Sequence, residues 1–180
     1  MSAQDQTDAV IRADRQADKA RLREIMGHYA TGASIVTATF DGKPHGLAVN
    51  SLTSVSLEPP LILFCPAKSS DTWPAIRDAG HFVVNILAHG QLDMLKKFAK
   101  KGADRFADVG YHDSPSGSPV LHDVLAHLEC RIEEIYDAGD HYVTLGRVLD
   151  LDVSDTGVPL VFYRGGFHEL AIADAPPEAG

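Results

Sequence analysis

The segment from Leu125 to Val153 constrains the fold more than any other part of the chain. In its first half, Leu128, Cys130 and Ile132 alternate with polar or charged residues. This is the two-residue period of a strand that has one face in water. The second half, HYVTLGRVLDLDV, continues the pattern after a glycine. We therefore expect two long strands here.

Other parts of the chain also favour strands, and the helical segments between them are short. The further strand candidates are SIVTATF, HGLAVN, LILFCP, HFVVNIL and PLVFYRGGF, and Asp41-Gly42 marks a hairpin turn between the first two. LILFCP is uninterrupted and lies between prolines, which predicts a central strand buried on both faces. Because regular βαβ alternation is absent, the pattern predicts a mainly β fold, a split, Greek-key-like antiparallel barrel with a few short helices.

The predicted helices are recognisable by their boundaries. Pro74 suits only the first turn of a helix, so a short helix should begin among residues 70–73 and end at Gly80. GQLDMLKKFAKKGADRF predicts a basic helix and turn, followed by a loop to Pro119. The domain organisation we expect is an N-terminal polar tail and helix (1–22), one barrel domain (23–170) and a disordered tail (171–180).

Composition narrows the classes of function. The net charge of −9 and the pI near 5.3 disfavour a nucleic-acid or anionic-membrane surface, and no apolar run reaches the length of a membrane span. Cys65 and Cys130 lie in apolar runs and predict buried, reduced thiols, hence a soluble, cytoplasmic protein. The nine histidines show no metal-ligand spacing, so we expect no metal site.

Several separated motifs, taken in order, resemble one known family. These are TGASIVTA, GLAVNSLTSVSLEPPLILFCPAKSSDTWPAI, FVVNIL, the Gly139-Asp140-His141 tripeptide and PLVFYRGGF. Together they are similar to the short-chain flavin reductases, the reductase components of two-component flavin-dependent monooxygenases. The resemblance runs from about Gly27 to Leu170. It implies a flavin-binding split barrel, with FAD or FMN and NADH as ligands.

The resemblance implies that residues 50–56 bind the isoalloxazine ring through their backbone groups. Such an extended, polar-rich segment can offer N–H and C=O groups to the ring edge. The alternative is a strand end whose hydroxyls cap neighbouring backbone. The candidate residues of this part of the site, together with one from the following strand, are Asn50, Ser51, Ser54, Val55, Ser56 and Cys65.

A phosphate site is predicted just before the helix that contains Pro74. A helix amino end with free N–H groups, hydroxyls and a lysine attracts anions, although a plain helix cap remains an alternative. The candidates are Lys68, Ser69, Ser70 and Thr72. Residues 96–105 carry four lysines, one arginine and one aspartate and could steer a dinucleotide, or be a solvated face. The resemblance places Phe98 near the phosphates and the ribityl chain.

The nicotinamide is expected at two further motifs. By resemblance, His141 lies against the nicotinamide, with Asp140 beside it, and its role is to position the carboxamide. The alternative is a hydrogen-bonded surface histidine. Tyr163, Arg164 and Gly165 resemble the family's C-terminal segment near the same site, where Arg164 can contact a pyrophosphate.

The predicted activity is hydride transfer from NADH to FAD or FMN, with the reduced flavin supplied to a separate monooxygenase. The resemblance also implies a homodimer. Two alternatives remain open at this stage. One is a non-catalytic flavin-binding or electron-carrier protein, and the other is an oxidase of the pyridoxamine-phosphate type on a similar barrel.

Overall fold

The computed structural model of the chain describes residues 19–102, 104–154 and 157–171. Three α-helices occur in these ranges: α1 (Lys19–Met26), α2 (Trp73–Ala79) and α3 (Leu92–Ala99), the last preceded by a 3-10 turn at His89–Gln91. None of the helices in the described residues is both long and apolar enough to cross a membrane. Residues 1–18 of the expected N-terminal tail and helix, and all but the first residue of the expected C-terminal tail, lie outside these ranges, whereas α1 begins within the expected N-terminal segment.

Seven strands form the main sheet, and every neighbouring pair in it is antiparallel. They are β2 (Ser34–Phe40), β3 (Lys43–Val49), β4 (Thr53–Leu57), β5 (Pro60–Phe64), β6 (His81–Ile86), β9 (Ala126–Ala138) and β10 (His141–Val153). Their spatial order is β3-β2-β6-β9-β10-β5-β4. The two long strands expected from the alternating pattern are β9 and β10, which pair along their whole length.

Five shorter strands complete the fold. A three-stranded sheet contains β1 (Thr31–Gly32), β11 (Leu160–Tyr163) and β12 (Gly166–Glu169), and a two-stranded hairpin contains β7 (Tyr111–Asp113) and β8 (Pro119–Leu121). The mainly β, antiparallel fold class is thus confirmed. The β7–β8 hairpin lies in the stretch that was predicted to be a loop, and that prediction was wrong.

The main sheet curls around a single core. Strands β3 and β5 are near opposite edges of the sheet, yet their inward side chains meet in one cluster. The cluster also takes residues from β2, β6, β9 and α2, and its largest members are Trp73, Phe64 and Phe82. Edge-to-face contacts join Phe64 to both Trp73 and Phe82, at centroid distances of 5.8 and 5.2 Å. This closure makes the sheet a split barrel.

A second cluster covers the outer face of β2 and β6. It combines Ile35 with Leu87, Leu95, Phe98 and Leu160, so α3 and β11 pack against this face. As a result β2 and β6 are the strands buried on both faces. The prediction that LILFCP is buried on both faces was wrong, because Leu61 and Leu63 of β5 are only half-buried and β5 is next to the edge strand β4.

The helix boundaries follow from local chemistry. Helix α2 has Thr72 at its amino-terminal cap position and a proline in its first turn, and Gly80 ends it with a φ of 74°. Such a left-handed conformation favours glycine because it has no Cβ. The predicted start and end of this helix are therefore confirmed.

Buried polar groups hold the β7–β8 hairpin. The Asn85 side chain donates to the Ile35 carbonyl and the Thr37 hydroxyl and accepts from the Leu121 N–H at 2.8 Å. The buried Glu129 carboxylate accepts from the Ser114 hydroxyl and the Ser116 N–H, both at 2.8 Å. These long-range bonds have no local sequence signal.

Glu129 should make stability depend on pH. Burial raises the pKa of this carboxyl, but the hydrogen bonds from Ser116 and Ser114 outweigh burial and hold the pKa below its ordinary value of 4.5. A depressed folded pKa gives stability that is present above the unfolded pKa and lost as pH falls through the folded value. Glu129→Gln should therefore lower the free energy of unfolding at pH 7 by about 1–2 kcal/mol. When the urea concentration at the unfolding midpoint is measured as a function of pH, its decrease at acidic pH should also be smaller in the variant than in the wild type.

The control for this experiment is Glu134→Gln, which replaces an exposed glutamate on the same strand. It should leave the urea midpoint at pH 7, and the decrease of that midpoint at acidic pH, close to those of the wild type. If the urea midpoint of Glu129→Gln decreases at acidic pH as much as that of the wild type, groups other than Glu129 cause the acid sensitivity.

Candidate active site

The first predicted segment, residues 50–56, leads from β3 into the edge strand β4. Because β4 has β5 on one side only, half of its backbone N–H and C=O groups point away from the sheet. A bulge at Val55 interrupts the pairing between Ser54 and Ser56. The segment thus presents free backbone donors and acceptors, as its predicted role requires.

Ser51 ties this segment to the end of β5. Its hydroxyl oxygen accepts a hydrogen bond from the Cys65 N–H at 2.8 Å, which leaves its proton free for another acceptor. Cys65 is half-buried, whereas Cys130 is fully buried, and both cysteines are unpaired. Burial raises the Cys65 pKa more than the Ser51 hydrogen bond lowers it. The Cys65 thiol is therefore protonated at neutral pH and no nucleophile.

Two adjoining depressions meet at Asn50 and Ser51. One has a volume of about 430 Å³ and extends towards residues 29–32. The other, of about 520 Å³, extends past Met26 to Phe162 and Gly165. We call them together the Asn50 groove. Their volumes are in the range of small-molecule sites.

The predicted phosphate segment follows β5 and precedes α2. The Ser70 hydroxyl accepts from the Trp73 N–H at 3.2 Å, which is a capping role, and the hydroxyl-bearing Thr72 is buried. The Lys68 ammonium pairs with Asp137 at 2.6 Å and lies 5.3 Å from the centroid of the Tyr142 ring. Lys68 therefore faces the β9–β10 turn.

The basic segment 96–105 folds against this phosphate segment. Lys101 donates to the Ser69 carbonyl at 3.2 Å and pairs with Asp71 at 3.6 Å. Arg105 donates to the Thr72 hydroxyl. Phe98 is only 1% exposed and packs under Gly46, so its ring supports the surface from below. Positive charge is thus concentrated beside residues 69–72.

The turn between β9 and β10 explains the Gly-Asp-His tripeptide. Ala138 pairs with His141, so Gly139 and Asp140 form a two-residue turn in which Gly139 has a φ of 66°. A positive φ at the first turn position favours glycine. The turn makes His141 the first residue of β10, where it bridges to Ala67.

Asp140 orients the His141 ring through a hydrogen bond. Its carboxylate lies 2.8 Å from Nδ1 of His141. The hydrogen bond from His141 and then the histidine's charge lower the pKa of Asp140, with a smaller effect from Lys19. An ionised carboxylate only accepts, so Nδ1 carries a proton, and in the tautomer that this hydrogen bond selects Nε2 is an acceptor. The His141 side chain is 46% exposed, so Nε2 can meet a ligand.

Residues 163–166 form the turn between β11 and β12. Tyr163 pairs with Gly166, and both turn residues, Arg164 and Gly165, have positive φ, 50° and 77°. Glycine, asparagine and aspartate are the usual residues at such positions, so the arginine is strained. The Arg164 N–H donates to the Gly27 carbonyl at 2.8 Å, which places the turn beside the end of α1.

Contacts join several of the predicted site residues. Ser51 contacts Cys65, the Lys68 N–H donates to the Asp140 carbonyl at 3.0 Å, and the basic segment contacts residues 69–72. Gly165 borders the Asn50 groove from the other side. His141 lies beside Ala67, where its neighbours Asp140 and Tyr142 bond to Lys68 and Pro66, whereas the Arg164 N–H bonds to the Gly27 carbonyl on a different part of the molecule. Their joint action on one ligand stays a prediction.

Sequence reasoning missed several residues at the site. Asp137 and Tyr142 hold Lys68, and Arg105 anchors Thr72. Thr31 and Phe162 line the Asn50 groove. The net charge of +4 over residues 96–105 was a signal that could have identified Arg105. The other missed residues reach the site only through strand pairing, which the local sequence does not reveal. Among the described residues, no group of three or more potential ligands is arranged to hold a metal.

Comparisons with known proteins agree with this geometry. The family described as flavin reductase like domain matches residues 26–171. The chain belongs to this family. A flavin reductase of Pseudomonas putida is 45% identical over 151 residues, which cover 83% of this chain and 89% of the relative. The reductase subunit HsaB of a flavin-dependent monooxygenase from Rhodococcus jostii (strain RHA1) is 44% identical over 150 residues, covering 83% and 77%.

Solved structures give the same result for the fold. Nitrilotriacetate monooxygenase component B from Mycobacterium thermoresistibile superposes with a TM-score of 0.83 at 35% identity, covering 91% of this chain and 96% of that one. The NADH:FAD oxidoreductase SgcE6 of Streptomyces globisporus C-1027, in complex with NAD and FAD fragments, gives 0.81 at 34% identity, with the same two coverages. The recognition of the family from its ordered motifs is confirmed.

The residues present fit a flavin. The free backbone edge of β4 and the Ser51 proton can serve the carbonyl and nitrogen atoms of the ring. The adjoining Asn50 groove is large enough for the ring, and cationic side chains lie beside residues 69–72, where a phosphate would follow. The backbone groups, the Ser51 hydroxyl and the nearby cations are thus together suited to a flat, hydrogen-bonding ring that carries a phosphate.

Proposed function

We propose that this flavin reductase transfers a hydride from NADH to FAD or FMN and supplies the reduced flavin to a separate flavin-dependent monooxygenase. One observation carries the proposal. The free backbone edge at residues 50–56 is tied through Ser51 to the segment that contacts both the basic cluster and His141. Candidate residues for the ring and the phosphate and, at His141, for the nicotinamide therefore lie on connected segments.

The chain's contribution is mostly one of positioning. A flavin held here would supply its N5 atom as the hydride acceptor for C4 of the nicotinamide. Residues 50–56 orient the ring edge, and their N–H groups stabilise negative charge that develops on it. Lys101 and Arg105 supply positive charge near the phosphate, either directly or by fixing residues 69–72.

His141 orients the second substrate. With Nδ1 bonded to Asp140, the Nε2 atom accepts a hydrogen bond from an amide N–H, and the nicotinamide carboxamide offers one. Hydride transfer needs the two reacting atoms about 3–3.5 Å apart, so fixing the carboxamide raises the rate without any proton transfer from His141. Arg164 contributes charge for the pyrophosphate.

Arg164→Gly should have opposite effects on stability and on activity. Glycine adopts the φ of 50° without strain, so the free energy of unfolding should rise by about 1 kcal/mol. Loss of the guanidinium should lower kcat/KM for NADH about tenfold. Chemical denaturation and steady-state kinetics measure the two effects. Arg164→Asn, in which asparagine also tolerates a positive φ, should show the same two changes. If kcat/KM for NADH is unchanged in both variants, Arg164 is not part of the site.

A homodimer and a cytoplasmic location are further parts of the proposal. Apolar side chains of α1 and the following residues are exposed, including Leu22, Ile25, Met26 and Tyr29. The stripe Leu149, Leu151 and Val153 is exposed where β10 extends beyond its pairing with β5. Such patches favour burial against a second copy of the chain. The unpaired cysteines are consistent with a reducing compartment.

The partner monooxygenase is inferred from relatives. HsaB is named a reductase subunit of a flavin-dependent monooxygenase, and BorF, with a TM-score of 0.81 and 35% identity, is the flavin reductase component of a two-component tryptophan halogenase. Reduced flavin made by such proteins is used by a second protein. The relatives' names favour a reductase over the non-catalytic carrier and over an amine oxidase.

An anaerobic stopped-flow experiment tests the proposed function. Purified protein is mixed with NADH and either FAD or FMN, and absorbance of the oxidised flavin is followed. We expect rapid bleaching that depends on the protein. Bleaching no faster than in the protein-free control would refute the reductase function and leave the flavin carrier as the better reading.

A further inference from the structure

The turn that carries His141 projects beyond the main sheet. Strand β5 pairs with β10 from Arg147 to Thr144 and ends there, so the first residues of β10 have no partner on β5. We call residues 136–142 the ribbon end, and residues 136–141 of it are all exposed. The position of His141 therefore depends on how the ribbon end is attached to the segment that follows β5.

Two backbone hydrogen bonds make part of this attachment. The Lys68 N–H donates to the Asp140 carbonyl at 3.0 Å, and the Tyr142 N–H donates to the Pro66 carbonyl at 2.9 Å. Both bonds reach the turn or β10, and neither of them reaches β9. A hinge movement of the ribbon about these two points would displace His141, so a contact on β9 is needed to oppose it.

The Lys68 side chain makes that contact. Its ammonium lies 2.6 Å from the carboxylate of Asp137 on β9 and 5.3 Å from the centroid of the Tyr142 ring on β10. Asp137 and Tyr142 are direct cross-strand partners, so one cation holds both strands of the ribbon end. Tyr142 also packs against the buried Trp73 of α2, at a centroid distance of 6.1 Å. The contact is thus anchored in the main core.

Other cations are better placed than Lys68 for a flavin phosphate. Lys101 donates to the Ser69 carbonyl and Arg105 to the Thr72 hydroxyl, so both lie at the segment that precedes α2. The charge of Lys68 is instead compensated by Asp137 at short distance, which weakens its attraction for another anion. Its geometry suits a structural contact with the ribbon end.

We propose that Asp137 is a positioning residue for hydride transfer, acting through Lys68 on the turn that carries His141. The inference rests on the proposed flavin reductase function. The ion pair fixes the ribbon end against residues 66–68 and thereby keeps Nε2 of His141 where the nicotinamide carboxamide can meet it. Asp137 contacts neither substrate itself. Because a displacement of about 1 Å slows a reaction that needs close contact, even a modest loosening of the ribbon end lowers the rate.

The test compares Asp137→Ala with the wild type by anaerobic stopped-flow mixing over a range of NADH concentrations. The variant should lower kcat/KM for NADH about fivefold, the size expected when a partly exposed ion pair is lost, and leave the flavin Kd within twofold. Lys68→Met, which keeps the aliphatic stem, should give the same two results. Asp137→Glu retains the carboxylate and should keep kcat/KM within twofold of the wild type.

The matched control is Glu134→Ala, which removes an exposed carboxylate three residues away on the same strand. It should leave both kcat/KM and the flavin Kd unchanged. A loss as large as that of Asp137→Ala would show that general charge, and not the pair with Lys68, is responsible, and would overturn the proposal.

A second comparison tests whether Asp137 acts through His141. In the His141→Ala background, Asp137→Ala should cause no further loss, because the group that it positions is absent. A fivefold loss that persists in this background would overturn the proposal. A raised flavin Kd in Lys68→Met but not in Asp137→Ala would assign Lys68 to the flavin phosphate and would overturn it as well.

The wild-type reaction separates this inference from the proposed function. If the wild type bleaches flavin in the presence of NADH but Asp137→Ala is equally fast, only the positioning role fails. If the wild type bleaches flavin no faster than the protein-free control, the proposed function fails, and the positioning role fails with it.

Discussion

Replacing His141 with alanine should lower kcat/KM for NADH about 100-fold, since misplacement of a reacting group by about 1 Å has an effect of this size. The variant loses the Nε2 acceptor that Asp140 leaves available by holding the Nδ1 proton. Its side chain is 46% exposed at the start of β10, so its removal should leave the fold intact. Flavin affinity should also be unchanged. Stopped-flow bleaching rates over a range of NADH concentrations give the size of the effect.

Two comparisons make the His141 result specific. His112→Ala removes an exposed histidine of β7 and should leave NADH kinetics unchanged. Asp140→Asn should reduce the rate less than His141→Ala does, and it should change the pH profile because the neutral amide no longer fixes the ring proton on Nδ1. A kcat/KM in His141→Ala within twofold of the wild type would remove the residue from the site.

Gly46→Ala should give the largest loss of stability. A Cβ at this position would lie 2.4 Å from Cε1 of Phe98, far inside van der Waals contact. Phe98 is 1% exposed and cannot yield without disturbing the second cluster. Overpacking of this kind costs about 2–3 kcal/mol, which urea denaturation measures directly.

The double variant Gly46→Ala with Phe98→Leu tests the cause. If the collision with the ring is responsible, the loss in the double variant should be smaller than the sum of the two single losses. Gly90→Ala is the control, because a Cβ there meets no atom within 4 Å and the backbone needs no positive φ. Additive losses in the double variant would point to backbone strain instead of the ring contact.

The fold was predictable wherever the local pattern determined the structure. Alternation along residues 125–137, the Asp41-Gly42 turn, and Pro74 with Gly80 around α2 each have a local physical cause, and the strand, turn and helix that they predict are confirmed. The prediction that the polar residues of β9 face water was wrong at Glu129, which is 3% exposed because it binds the β7–β8 hairpin. The β7–β8 hairpin was missed because it depends on Asn85 and Glu129, which are distant in sequence. β5 was mistaken for the strand buried on both faces because an apolar run does not reveal whether a second layer covers it.

The site was predictable as separate segments and less so as an assembly. Ordered motifs pointed to residues 50–56, 68–72 and 139–141, and strand pairing brings these segments into contact. No local pattern could show that Lys68 pairs with Asp137 or that Phe98 is buried, since both depend on how α3 and β9 pack. The cavity lined by Lys43, Arg105 and Phe106 likewise forms only when residues 104–106 fold back onto the start of β3.

Strands β2 and β6, buried on both faces, also bear on how such a protein can diversify. These two strands form the most buried part of the molecule. The residues proposed to contact ligands lie instead on turns, on an edge strand and at strand ends. Exchanging a ligand-facing side chain at one of these exposed positions therefore requires little repacking of the buried strands β2 and β6. A chain built this way can acquire a different flavin or dinucleotide preference through a few peripheral substitutions while it retains its fold.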